Sequence, residues 1–483
     1  MPQWPAVGYR RRVLIRDVEV DWRRVDVRVT AGAIAEIAPG LPGPAELDGH
    51  GAALLPGLHD HHLHLLATAA HADSLRVGPP HVTTPHQLAA ALHVRPLAGW
   101  LRCVDYHESV AGLLDRAALD DLRADVPIRV QHSSGALWML NTAALRELGM
   151  TDDAHLPPSV ERDARGRVTG RVWRGDAWLG RRVRSRARAR VEPDLRDVGA
   201  RLAAFGVTGV TDATPHLDDA SLATILRARA DGSLPQRVTL LADVPAAAAG
   251  DCVLGPGKIV VADHDLPALA ELVRRVRAVH DSGRPVAVHC VTSAALMLTV
   301  AALDEAGAVD GDRVEHAAVA APQSVARLAD LGVRVVTQPS LPARRGDEYL
   351  AGTDESERDQ LWPFGSLLRA GVRVGCSSDA PYGDLDPWAA IRAATERRTP
   401  SGRDIGPWER VSAQEALRGY LGRPDDPGGP PRRVRVGAAA DLVLLDAPLA
   451  TVLADPNARR VRTTVQAGRV VHDAERHDHE ESQ

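Results

Sequence analysis

Four histidines and a carboxylate fall within six residues at His59-Asp60-His61-His62-Leu63-His64, just after the apolar run Ala52-Ala53-Leu54-Leu55. Side chains alternate along a strand, so Asp60, His62 and His64 share one face and His59 and His61 the other. Two imidazoles on one face, one residue apart, can converge on a single cation, and imidazole suits zinc and its first-row neighbours. Four further apolar runs carry groups of the same kind. Gly257-Lys258-Ile259-Val260-Val261 holds a lysine, and Pro285-Val286-Ala287-Val288-His289 and Arg313-Val314-Glu315-His316 end in histidine. The run from Gly371 through Cys376-Ser377-Ser378 ends in Asp379. Of 58 basic residues Lys258 is the sole lysine. Arginine fills the places where any cation serves, so a lone lysine marks a place that needs a primary amine, the two side chains not being interchangeable.

Pro56-Gly57-Leu58-His59-Asp60-His61-His62-Leu63-His64 resembles the first-strand signature of the amidohydrolase superfamily of metal-dependent hydrolases. Taken in order, His-x-His, Lys, His, His and Asp match the ligand set of that superfamily. The resemblance implies that His62, His64, Lys258, His289, His316 and Asp379 hold one or two divalent ions, with zinc expected from the nitrogen-rich set. His59 and His61 match no ligand position and are expected to support or pack. A closer resemblance is to amidohydrolase family 3, the YtcJ-like branch. It rests on Gly255-Pro256-Gly257-Lys258-Ile259, on Arg313-Val314-Glu315-His316-Ala317, and on Ser377-Ser378-Asp379-Ala380-Pro381-Tyr382 followed by Asp386-Pro387-Trp388. It covers residues 13 to 472. One departure is His289-Cys290-Val291-Thr292, where many members have a Gly-Asp pair after the histidine, so no aspartate role carries over there.

The chemistry follows from the set. An ammonium between two cations would be repelled, so Lys258 must be neutral or modified beside metal. In binuclear members the matching lysine is carboxylated to an anionic bridge. Such a centre activates water to hydroxide near neutral pH, and Asp379 is implied to be the catalytic group that shuttles its proton to the leaving group. The expected activity is hydrolysis of a C–N bond in an amide or cyclic amide. A mononuclear deaminase is the alternative, and Lys258 argues against it. A non-catalytic binding protein of the same descent usually loses ligands, and here every position is filled.

These residues need a scaffold, and the patterning specifies an α/β one. Short apolar runs ending in polar residues alternate with helices, as in a (β/α)8 TIM-like barrel. Candidate strands lie at 53–58, 101–104, 127–131, 207–213, 236–242, 258–262, 286–289, 313–316, 333–337 and 373–377. Ten candidates compete for eight places, so two belong outside the barrel. Ser412-Ala413-Gln414-Glu415 is a capping box opening a helix through Leu421. The two chain ends read as strands and hairpins, and the resemblance implies that they pair into a small β-sandwich. The expected domains are 1–55 and 433–476 for the sandwich, and 56–432 for the barrel with an insertion at about 65–200. The charged end from His472, and 477–483 above all, is expected to be a disordered tail. A pocket wall is expected from Tyr106, His107, Glu108, His132, Trp138 and Asn141, which gather polar and aromatic groups at the ends of apolar runs. Asn141 also suits the cap of a helix beginning at Thr142.

Composition excludes several classes. With 45% hydrophobic and 25% charged residues and a net charge of −5, nothing favours nucleic acid or an anionic membrane surface. The arginine-rich stretch 181–190 lacks aromatic partners and reads as a solvated helical face. The first twelve residues lack the apolar core of a secretory signal, and four unpaired cysteines suit a reducing cytoplasm. A small-molecule substrate is the expected partner, with a homo-oligomer left open.

Overall fold

The computed structural model describes residues 12–97, 99–186, 193–263 and 265–475. They fall into two compact units, one made of the residues up to Leu65 and from Leu195 onward, the other of Leu66–Asp194.

In the first unit, valine-rich runs form two parallel arcs. One arc holds Val253–Leu254, Arg237–Leu240, Val207–Asp212 and Leu58–Leu63 in that order. The other holds Gly257–Val260, Val286–Cys290, Arg313–His316, Arg334–Thr337 and Val374–Cys376, neighbours in space as in sequence. Hydrogen bonds join the arcs at two places: Lys258 N donates to Leu241 O, just past Arg237–Leu240, at 3.1 Å, and Asp379 N to His62 O at 2.8 Å. Parallel strands need crossovers, and the helices supply them. Ser293–Ala306 starts where the Thr292 hydroxyl accepts from Ala295 N. Ala413–Leu421 opens with the Ser412/Glu415 capping box expected for it. Because all strands of an arc run one way, their C-terminal ends share one edge, and register sets Cys290 beside His316 and His289 beside Glu315.

The chain ends build two sheets, Ala33–Ala38/Arg23–Thr30/Arg12–Val20 with Leu47–Asp48, and Arg469–Asp473/Val461–Gln466/Leu442–Leu445/Leu54–Pro56, antiparallel throughout except that Leu47–Asp48 runs parallel to Arg12–Val20. One apolar cluster serves both, with Ile15, Val27, Val29 and Ile34 packed against Leu442, Leu444 and Val465. Two hairpin turns, Ala31-Gly32 and Ala467-Gly468, have positive φ at both positions, the I′ geometry that favours glycine. They touch: a Cβ on Gly468 would lie 3.2 Å from Gly32 Cα.

Two expectations are corrected and one is completed. The run at 53–58 is not one strand: Leu54–Pro56 joins the antiparallel sheet and Leu58–Leu63 the arc. Gly57 makes the break, lying so close to Thr208 that a Cβ would sit 2.2 Å from its side chain. The surplus strands near 101–104 and 127–131 are Leu101–Tyr106 and Ile128–His132, which belong to a six-stranded sheet of the second unit. His472 is not tail but part of the Arg469–Asp473 strand, whereas 477–483 lie outside the described residues. Of the arginine-rich stretch, residues up to Arg186 are helical and 187–190 are outside the description. Among the described residues no helix is long and apolar enough to cross a membrane.

Candidate metal centre

The Leu58–Leu63 strand is buried at every position, which fixes its alternation. His62 and His64 emerge on one face and meet Asp379, which follows the Val374–Cys376 strand. Asp379 Oδ1 lies 3.5 Å from His62 Nε2 and 3.4 Å from His64 Nε2. One ligand atom from each of the three lies within 4.8 Å of the others. Neighbouring ligands of a tetrahedral ion with bonds of about 2.0–2.1 Å stand about 3.3 Å apart, so the carboxylate spacing suits a bound ion. His316 Nδ1 is 4.0 Å from Asp379 Oδ2, and His316 Nε2 is 3.0 Å from His289 Nδ1. Three histidines thus lie within 4.0 Å of one carboxylate, with His289 bonded to the third of them.

Burial holds three of these rings, those of His62, His289 and His316, in the form a metal needs. It pushes His62 down to about 3, helped by the positive charge of Lys258, and pushes His289 and His316 down as well. A neutral imidazole has a lone pair to give. The outer nitrogens are engaged: His62 Nδ1 with Glu315, His64 Nδ1 with Thr214 Oγ1 at 3.3 Å, and His316 Nδ1 with Gln338 Oε1 at 2.8 Å. That leaves Nε2 of His62 and His64 toward Asp379. His316, Ala317 and Asp379 all have positive φ, at 73°, 48° and 52°. Non-glycine residues are held there only where the surroundings over-determine them, and such strain gathers at functional sites.

Lys258 Nζ is buried and has no hydrogen-bond partner among the described residues. Burial lowers its pKa, and Glu315, Arg313 and Asp379 are the charges around it. An orphaned, buried amine among these charges fits a place for a further anionic or metal-bound group. Sequence reasoning missed Glu315, Gln338, Thr214 and the structural work of Asp60. The Asp60 carboxylate accepts from His62 N and Ser378 N, tying the two ligand-bearing segments together. A charged pair at alternate positions of an otherwise apolar run, Arg313-x-Glu315, was the available signal for Glu315.

The six residues expected in a pocket wall all lie in the second unit, and they divide. His132 Nε2 meets Glu108 Oε2 at 2.6 Å, and His107 Nε2 lies 3.8 Å from the same oxygen. Tyr106 is buried and donates its hydroxyl to Gly112 O at 2.6 Å. Asn141 is corrected to a structural residue: fully buried, it accepts from Ile128 N and Ala144 N and donates to Arg123 O and Val126 O. Every hydrogen-bonding position of its amide is in use, and the side chain caps Thr142–Glu147. Trp138 is likewise a core residue, packed with Leu140, Ala144 and Leu145 and bonded through Nε1 to Asp176 at 2.7 Å. Trp138→Ala is therefore expected to destabilise the protein by about 3–5 kcal/mol, the usual cost of truncating a buried aromatic ring. Urea unfolding measures it, and an unchanged midpoint would show the ring to be dispensable.

Comparison with known proteins gives the same direction. A model of the amidohydrolase family matches residues 45–472. An N-substituted formamide deformylase of Arthrobacter pascens is 27% identical over 470 residues, covering 84% of this chain and 85% of that protein. The Bacillus subtilis protein called amidohydrolase YtcJ is 23% identical over 432 residues, covering 79% of this chain and 81% of its own. Among solved structures, a metal-dependent hydrolase of Pyrococcus horikoshii superposes with a TM-score of 0.71 at 17% identity, covering 96% of this chain and all of that one.

Proposed function

Since the chain belongs to the amidohydrolase family, we propose that it is a metal-dependent hydrolase of small N-acyl amines, with N-substituted formamides foremost. The observation that carries this reading is the convergence of His62, His64 and Asp379 on one point. The substrate class leans on the formamide deformylase that resembles this chain over most of its length. On this reading the parallel strands of the two arcs, the two-residue Val253–Leu254 excepted, close into an eight-stranded barrel and the two terminal sheets form a β-sandwich.

His62, His64, His289, His316 and Asp379 would hold the metal, zinc being the natural choice for imidazole-rich ligands. When bound, a divalent ion there polarises the scissile carbonyl and lowers the pKa of water toward about 7. The protein supplies the proton transfers. Asp379 accepts a proton as water adds to the carbonyl carbon, then donates it to the nitrogen as the C–N bond breaks. Amine and carboxylic acid (formate, from a formamide) are the products. Lys258, whose buried amine is pushed toward the neutral form, would add CO2 and lose a proton to give a carbamate able to hold a second ion.

The test is hydrolysis of a panel of N-alkyl and N-aryl formamides and longer N-acyl amines, followed by amine release. Zinc-loaded protein is expected to act, and chelation to abolish turnover. Failure on every amide, with release of ammonia from amidine-like substrates, would transfer the protein to the deaminases. In the same assay Lys258→Arg is expected to bind one ion or fewer where the natural protein binds two, because a guanidinium stays protonated and cannot become an anionic ligand. Metal analysis showing two ions in that variant would remove Lys258 from the centre.

A further inference from the structure

His62 is backed by a carboxylate. Its Nδ1 meets Glu315, 253 residues away in sequence, while its Nε2 faces Asp379. The other oxygen of Glu315 accepts from Arg313 Nε at 2.7 Å, and Arg313 also donates to His61 O at 3.2 Å. Both side chains are wholly buried. The other outer partners are neutral: a hydroxyl for His64, and for His316 the amide of Gln338, held by Ser377 Oγ at 2.9 Å. A buried ion pair is a poor source of stability, since apolar residues of similar volume often do as well or better. The Arg313–Glu315 pair therefore asks for another explanation, and its contact with His62 offers one.

We propose that Glu315, held in place by Arg313, is the positioning residue that makes His62 the dominant ligand of the centre. Its carboxylate accepts the Nδ1–H bond, which fixes the tautomer with the Nε2 lone pair toward Asp379 and makes the ring a stronger donor. The His62/His64/Asp379 position then outranks the His289/His316 position, whose rings are bonded to one another and backed by an amide. The inference rests on the metal-binding reading above.

Cobalt(II) is the probe, with affinity taken from chelator competition and ligand geometry from the visible spectrum. Glu315→Gln is expected to weaken the tighter cobalt site by about 10–100-fold, the usual effect of removing a partner of a ligating histidine, and to change the spectrum. Glu315→Asp, which keeps the carboxylate, is expected to recover part of the affinity. If Arg313 left unpaired prevents Glu315→Gln from folding, Arg313→Met with Glu315→Gln removes both charges and carries the same expectation. Failure of the natural protein to bind cobalt would overturn the metal reading and this inference together. Tight binding that is lost in His62→Ala but unchanged in Glu315→Gln, or in the double variant, would overturn this inference alone.

Discussion

Alanine at both His62 and His64 is expected to strip the protein of its tighter metal ion and to bring hydrolysis to background. The two rings supply two of the three converging ligand atoms, leaving Asp379 with no ring nitrogen nearer than the 4.0 Å to His316. A lone carboxylate does not hold zinc in competition with buffer, whereas three protein ligands define a catalytic site. Loss of the ion removes several kcal/mol of transition-state stabilisation, about 10³-fold or more in rate. The fold has its own reason to notice, because Glu315 loses the Nδ1 partner and stays buried beside Arg313. About 1–3 kcal/mol of stability should go with that unsatisfied group. Circular dichroism and elemental analysis of the same sample separate the two effects. A folded double variant that retains the natural metal content would refute the placement of the ion.

The candidate ligands stood out in the sequence because each but Lys258 lies at the end of an apolar run or within two residues of another. His62 and His64 are neighbours on a strand, and Lys258 stands out as the only lysine. What supports them was not legible, because contact and sequence distance are unrelated: Glu315 reaches His62 across 253 residues. The strands at 101–104 and 127–131 have the same composition as those of the arcs, and only the pairing Leu101↔Ile128 assigns them to another sheet. Trp138 and Asn141 show the limit from the other side. An aromatic ring and an amide near strand ends describe a pocket wall and a capped, packed helix equally well. Burial decides between them, and burial is a property of the folded chain. Gly57 carried its message in plain sight, since a glycine between two apolar runs marks a place of close approach, here to Thr208.

Asparagine at Asp379 is expected to leave the protein folded and kcat lower by about 10²–10⁴, the usual worth of a positioned acid–base group. The substitution changes little else. Asp379 sits at φ 52°, and asparagine tolerates the left-handed region as aspartate does. Its backbone N–H still donates to His62 O, so the seam between the Leu58–Leu63 strand and the following segment survives. The amide is the same size as the carboxylate but cannot take a proton from attacking water or return one to the departing nitrogen. It still offers one oxygen toward His62 and His64, so metal content should fall less than in the double histidine variant. If proton transfer is what Asp379 contributes, kcat and kcat/KM drop together while KM stays near its natural value. A rise in KM at unchanged kcat would instead make Asp379 a substrate-binding group. Activity within a factor of a few of the natural protein, in a sample shown to hold its metal, would leave the proton transfers without a carrier and move the search for one to Lys258 and Glu315.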